Sequence, residues 1–151
     1  AAAEMIAYGN AFMAQIVANS RALAAALDAR GIPVLGKHKG YTTTHQVIAD
    51  VRAQGGGLDV AHLLARANLI TNKNLLPNDG PEDWDRPSGL RMGTIEVTRL
   101  GMKEAQMDQI ADFMARVLIA KEAPENVLED VVDFREPYQK LFYCFDNGMP
   151  D

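Results

Sequence analysis

Little in this sequence announces a chemistry by itself. Its 151 residues include one cysteine, one tryptophan and three histidines. A lone cysteine, Cys144, cannot close an internal disulfide. It stands in the run FYCFDNG, among aromatics and with no basic neighbour, so it reads as a small buried apolar residue rather than a thiolate. The histidines, His38, His45 and His62, fall at no spacing that a metal site uses and have no partnering cysteine, so no metal is expected. Positive charge is in deficit, with 15 Lys and Arg against 20 Asp and Glu and a net charge of -5. That argues against nucleic acid and anionic membrane as partners, since both need a basic face. No apolar run approaches the roughly 18 residues of a membrane span. The start, AAAEMIAYGNAF, lacks the basic n-region of a signal peptide. A cytoplasmic location fits these readings.

What is present is ordinary material for one globular domain with a core: 48% hydrophobic and 23% charged residues. The chain opens on Ala1, already in helical pattern and without a cap, so it reads as a piece cut from a longer protein. Residues 1–30 form one long helix candidate. Ile6, Met13, Ile16, Val17, Ser20, Leu23, Ala24 and Leu27 give it an inward stripe, and Gly31 stops it. Strands are expected at 32–36, at 46–52 by the alternation of Val47, Ala49 and Val51, at 69–74 and at 89–94. The glycines at 55–57 mark a turn, and Asp59 opens a short helix to Asn68 with Val60, Leu63, Leu64 and Ala67 inward. Residues 75–88, rich in Pro, Asp, Asn and Gly, read as an ordered loop. A helical turn at 96–101 leads to an amphipathic helix at 103–120 with Met107, Ile110, Met114, Val117 and Leu118 inward. A last helix from Pro124 is broken or bent at Pro137 and ends near Cys144. The class is α/β in the broad sense, an α+β domain: a long N-terminal helix and a small, mostly antiparallel sheet of three or four strands covered by helices.

Two short motifs carry the chemistry: NKN at Asn72–Asn74 and SGLRMGT at Ser88–Thr94. An arginine on a short strand between two glycines is unusual. Glycine lets a ligand or another backbone approach closely. The guanidinium of Arg91 can hold a carboxylate through two parallel hydrogen bonds. The same arginine could equally salt-bridge an acidic residue of the domain, and both readings are open at this point.

The run NLITNKNLLPND, followed by RPSGLRMGTIEVTRLGMKEAQMDQIADFM, resembles the C-terminal domain of serine hydroxymethyltransferases. The resemblance extends back through GLDVAHLLARANLI, VIADVR and YGNAFMAQIVANSRALAAAL, and so covers nearly the whole chain. It implies the small C-terminal domain of the aspartate-aminotransferase-like fold, the type I fold of pyridoxal-phosphate enzymes. Residues 1–30 would be the interdomain linking helix and 31–151 the C-terminal domain. The large domain with the cofactor lysine would lie outside this chain. By the same resemblance Arg91 binds the substrate carboxylate, and Asn74, the second asparagine of NKN, lies near the folate. The cofactor implied is pyridoxal phosphate, bound mainly by the large domain, with tetrahydrofolate as co-substrate. The partners implied are that large domain, a second copy in a homodimer, and the amino acid. The activity implied is the one-carbon reaction of serine with tetrahydrofolate to glycine and 5,10-methylenetetrahydrofolate. The chain alone is expected to be inactive, with no catalytic residue of its own.

Some positions depart from the family pattern. Ile95 stands where the family usually has proline, and Leu100 interrupts a TRG-like turn. The stretch YTTTHQ, Tyr41–Gln46, looks like the family's cofactor motif, a threonine run followed by His and Lys, with Gln46 in place of the lysine. Its neighbours VIADVR and GLDVAHLL belong by resemblance to the small domain, so it is not a mutated cofactor motif. These departures keep related activities in view: a threonine transaldolase or aldolase, an α-methylserine hydroxymethyltransferase, or a stand-alone non-catalytic binding domain.

Overall fold

The structure, a computed structural model, describes residues 1–150. Helix α1 runs from Ala2 to Ala29, about 42 Å at roughly 1.5 Å per residue. It ends where Gly31 takes a left-handed φ of 83° and the amides of Arg30 and Gly31 close onto Leu27 and Asp28. Three strands follow in the sequence, β1 (Gln46–Asp50), β2 (Asn72–Asn74) and β3 (Gly89–Gly93), and pair in the order β1-β3-β2, antiparallel throughout. Four further helices are α2 (Gly57–Arg66), α3 (Ile95–Arg99), α4 (Glu104–Leu118) and α5 (Pro124–Arg135).

Alternation along the strands divides the sheet into two unlike faces. Val47 and Ala49 of β1 and Leu90 and Met92 of β3 point at the helices. They pack with Leu23, Ala24 and Leu27 of α1, Val60 and Leu64 of α2, Met107, Met114 and Val117 of α4, and Val127 and Val131 of α5. Leu27, Leu64 and Leu90 are fully buried, each worth about 1.5–3 kcal/mol of transfer free energy. The opposite face carries Gln46, Ile48 and Asp50 on β1, Gly89, Arg91 and Gly93 on β3, and Asn72 and Asn74 on β2. None of these apart from Gly89 is buried.

The α+β class stands as expected, with differences in its elements. The strand expected at 32–36 shrinks to one bridge between Val34 and Ala49. Pro33 has no N–H to donate, and Gly36 turns away with a φ of 79°. The strand expected at 69–74 keeps only Asn72–Asn74. Its first residues still serve the exit of α2, where Asn68 is left-handed and the Leu69 amide bonds Leu64. The last helix stops at Arg135, just before Pro137, and does not reach Cys144. Residues 141–150 instead fold back on the first half of α1, where Tyr143 and Phe142 cluster with Tyr8, Phe12 and Ile16. In the α1 stripe, Ile6 and Met13 turn out exposed, at 89% and 44%, and Phe12 and Asn19 are buried in their stead. Both exposed residues sit on the N-terminal half, which meets the aromatic cluster on its other side.

Candidate functional site

Arg91 lies at the centre of the open sheet face. It is on the middle strand, directly across from Ile48 on one side and Asn72 on the other. Every other arginine has a partner: Arg21 bonds the Thr42 carbonyl, Arg30 the carboxylate of Asp108, and Arg66 that of Glu125. Arg86 bonds Asp59, Arg116 bonds Glu122 and Asp130, Arg135 bonds the Tyr138 carbonyl, and Arg99 lies by Glu4 and the Phe12 ring. Arg91 is half-buried and among the described residues has no hydrogen bond or ion pair. The acid on its own face, Asp50, is engaged by Arg52, whose amide bonds Oδ1 at 3.0 Å and whose guanidinium lies 3.6 Å from Oδ2. The internal salt bridge that the sequence left open is therefore not formed, and the guanidinium fork faces outward unspent.

The two flanking glycines do different things. A Cβ on Gly89 would meet Leu76 Cδ2 at 2.4 Å and the Asn74 carbonyl at 2.6 Å, so that glycine permits close packing of the neighbouring strand and loop. A Cβ on Gly93 would meet nothing nearer than His45 at 3.9 Å. Beside Arg91, the space over Gly93 is open.

Two devices hold this face in place. The loop from 75 to 88 is clamped by Asp79, whose Oδ2 accepts the amides of Leu76 at 2.8 Å and Ser88 at 2.9 Å. The Ser88 hydroxyl, those two amides and nearby Arg52 hold its carboxyl at about 2, well below the usual carboxylate value. Beyond β3, a buried polar network ties the strand end to α1. Asn19 donates to Thr98 Oγ1 at 2.8 Å and to the Met102 carbonyl at 2.9 Å, and accepts from Gln15 at 3.0 Å. Ser20 and Thr94 hydroxyls lie 2.7 Å apart and both approach the Ile16 carbonyl. With two hydroxyl hydrogens, only two of those three contacts are hydrogen bonds at any moment. Thr94 thus sits on α1 only three residues after Arg91. Asp79, Asn19, Thr94 and Thr98 escaped the sequence reading. The available signal was an asparagine at a helical core spacing, between Ile16 and Leu23.

The remaining candidates are placed apart from this arrangement. Asn74 is on the same face, level with Gly89, and its Nδ2 is given to the Leu75 carbonyl at 2.7 Å. Lys73 points to the other side of the sheet, where Nζ donates to the carbonyls of Trp84 and Asp85 at 3.3 and 2.9 Å and lies over the Trp84 ring. His38 and His62 are exposed. His45 is at the rim, its carbonyl accepting from the Thr94 amide. Among the described residues no three His, Cys, Asp or Glu side chains gather as a metal site would require. Cys144 is buried, with Sγ on the Leu141 carbonyl. YTTTHQ is a turn: Tyr41 is left-handed, and the hydroxyls of Thr42 and Thr44 accept the amides of Thr44 and Gln46. The Tyr41 hydroxyl and Lys37 both bind Asp28 of α1, which lowers the Asp28 carboxyl below its usual range and raises the Lys37 amine. Gln46 then opens β1 on the Arg91 face, opposite Gly93. A cavity of about 560 Å³ lies on the helix side of the sheet, among Met92, Met107, Ile110, Phe134 and Thr71, away from Arg91. Among the described residues, no helix is long and apolar enough to cross a membrane.

Comparison with known proteins identifies the scaffold. The family profile of serine hydroxymethyltransferase matches residues 3–114. A serine hydroxymethyltransferase of Methanocella arvoryzae is 55% identical over 144 residues, covering 95% of this chain and 34% of that protein. One from Pyrococcus horikoshii is 53% identical over 152 residues, covering 99% and 35%. The chain spans about a third of the length of these curated relatives. Among solved structures, an L-threonine transaldolase from Pseudomonas fluorescens in its internal aldimine state superposes with a TM-score of 0.83. It is 30% identical, and the match covers 95% of this chain and 32% of that one.

Proposed function

The chain belongs to the serine hydroxymethyltransferase family, and we propose that it is the C-terminal small domain of a hydroxymethyltransferase acting on serine and glycine. In that reading residues 1–30 link to a large domain and residues 31–151 form the small one. The role of this chain is to hold the amino acid by its carboxylate. The observation that carries this is Arg91: half-buried, central in the sheet, without an internal partner, and beside the open space at Gly93. A guanidinium left unpaired on a rigid strand is prepared for a planar anion with two acceptor oxygens.

Pyridoxal phosphate is the cofactor that the family implies, and it would supply an electron sink for bonds at the substrate Cα. Its attachment needs a lysine amine. Among the described residues the strands put none on the Arg91 face, since Lys73 is turned to the opposite side and occupied by two carbonyls. The residues present therefore suit the substrate and do not suit the cofactor, which the large domain would hold. An open sheet face also cannot exclude water, so the site needs a second wall. The large domain, or a second copy in a homodimer, would supply it. What the chain contributes is orientation: a carboxylate fixed by a fork on a strand locks the rotation of the bonds around Cα. Tetrahydrofolate as co-substrate, with Asn74 near it, and a cytoplasmic location complete the proposal.

In the full-length protein, Arg91→Lys keeps the charge and loses the fork. Glycine affinity should fall about tenfold to a hundredfold. Unchanged affinity would remove the carboxylate role. The likeness to a threonine transaldolase supports a second reading, in which folate is not used. Adding glycine to the full-length protein with and without tetrahydrofolate, and following cofactor absorbance, separates the two. A spectral response to tetrahydrofolate supports the hydroxymethyltransferase, and its absence supports the transaldolase.

A further inference from the structure

We infer that Asn72 is a second anchor of the amino-acid carboxylate, donating a carboxamide N–H to the oxygen atoms that Arg91 holds. The inference rests on the carboxylate reading of Arg91.

The register places it. Asn72 is the residue directly opposite Arg91 in the β2–β3 ladder. Side chains so paired leave the same face with Cβ atoms about 4.5–5.5 Å apart. Its carboxamide has no partner among the described residues, whereas Asn74, one step along the same face, has already given its Nδ2 to Leu75. On the other flank of Arg91 stands Ile48, which has nothing to donate, and along the strand lie Gly89 and Gly93. Asn72 is therefore the polar side chain level with the guanidinium.

Stoichiometry calls for such a donor. A carboxylate offers about four lone-pair positions, and an arginine fork fills two. A carboxylate half-removed from water leaves the others unpaired unless a further donor reaches them, and an unpaired charged acceptor is costly. Among the described residues the strands put no other cation on this face: the Arg52 guanidinium lies by Asp50 and Asp79 and donates to Ser88, and Lys73 faces away. Asn72 is exposed on an edge strand, so its side chain can swing toward the bound anion, and its replacement disturbs no packing.

The test is glycine binding by calorimetry to the full-length protein carrying Asn72→Ala, Asn72→Asp or Arg91→Lys, with thermal unfolding of each variant alongside. Asn72→Ala should weaken glycine about tenfold with the unfolding temperature unchanged. Asn72→Asp keeps the shape and replaces the donor by a second anion beside Arg91, so it should weaken glycine further than Asn72→Ala does. Glycine affinity within twofold of the parent in Asn72→Ala, with a loss in Arg91→Lys, would overturn the inference and leave the arginine reading standing. No loss in either would overturn both. Affinity retained in Asn72→Asp but lost in Asn72→Ala would show an acceptor role and overturn the donor assignment.

Discussion

Asn19 is the most sensitive point of the join between α1 and the rest of the fold. It is fully buried, and both of its Nδ2 hydrogens are used, one on Thr98 Oγ1 and one on the Met102 carbonyl. Replacing it by alanine removes two buried hydrogen bonds, each worth about 1 kcal/mol net. The consequences at the two acceptors differ. Thr98 keeps a role for its hydroxyl, which still donates to the Thr94 carbonyl at 2.6 Å. The Met102 carbonyl loses this donor in a region where water does not replace it, which adds roughly 1–2 kcal/mol. Asn19→Ala should therefore destabilise the 151-residue chain by about 3 kcal/mol. For a domain of this length that lowers the unfolding midpoint by roughly 6–12 °C. Urea unfolding followed by circular dichroism measures it. Thr98→Val is the companion, and the double mutant should lose less than the sum of the two singles, because the pair shares one bond. A loss below about 1 kcal/mol for Asn19→Ala, with an unchanged urea slope, would refute the idea that this network fastens α1 to the strand end.

Other expectations concern the loop and the glycines. The folded Asp79 carboxyl sits at about 2 against an ordinary 3.8, so its contribution to stability is complete above the ordinary value and is lost as pH falls through about 2. The Leu76 and Ser88 amide resonances should titrate with that low midpoint, and a midpoint at 3.8 or above would contradict the clamp. Gly57→Ala should be more damaging than Gly89→Ala. The first places a Cβ 2.0 Å from the Gly89 carbonyl oxygen and 3.1 Å from that of Pro87, backbone on every side, while the second meets one backbone oxygen, that of Asn74 at 2.6 Å, and otherwise the Leu76 side chain, which can partly move. Thermal unfolding of the two variants gives the order. Gly40→Ala meets no atom within 4 Å and should cost only the left-handed strain, about 1–2 kcal/mol.

Much of the fold is written locally. The periodicity of α4, the alternation of Val47 and Ala49, and the stops at Gly31 and Pro137 each follow from residues close in sequence. Where the reading of elements failed, a distant contact decided one case and a neighbouring helix exit another. Ile6 has the composition of a core position, but the aromatic cluster at 142–143 packs on the other side of its helix. Residues 69–71 have strand propensity, yet the exit of α2 takes the Leu69 amide first.

By itself the sequence determined the family, the α+β class and Arg91 as the residue to watch, because those depend on residue type and short spacing. Two readings of Arg91 stayed balanced at that level, since a fork suits an internal acid as well as a ligand. Only the tertiary structure shows that Arg91 makes no internal ion pair among the described residues. It placed Asp50 in the reach of Arg52, turned Lys73 to the far side, and set Asn72 in register with the free guanidinium. Which donor meets which acceptor depends on strand register and loop closure, long-range properties that no short window of sequence contains.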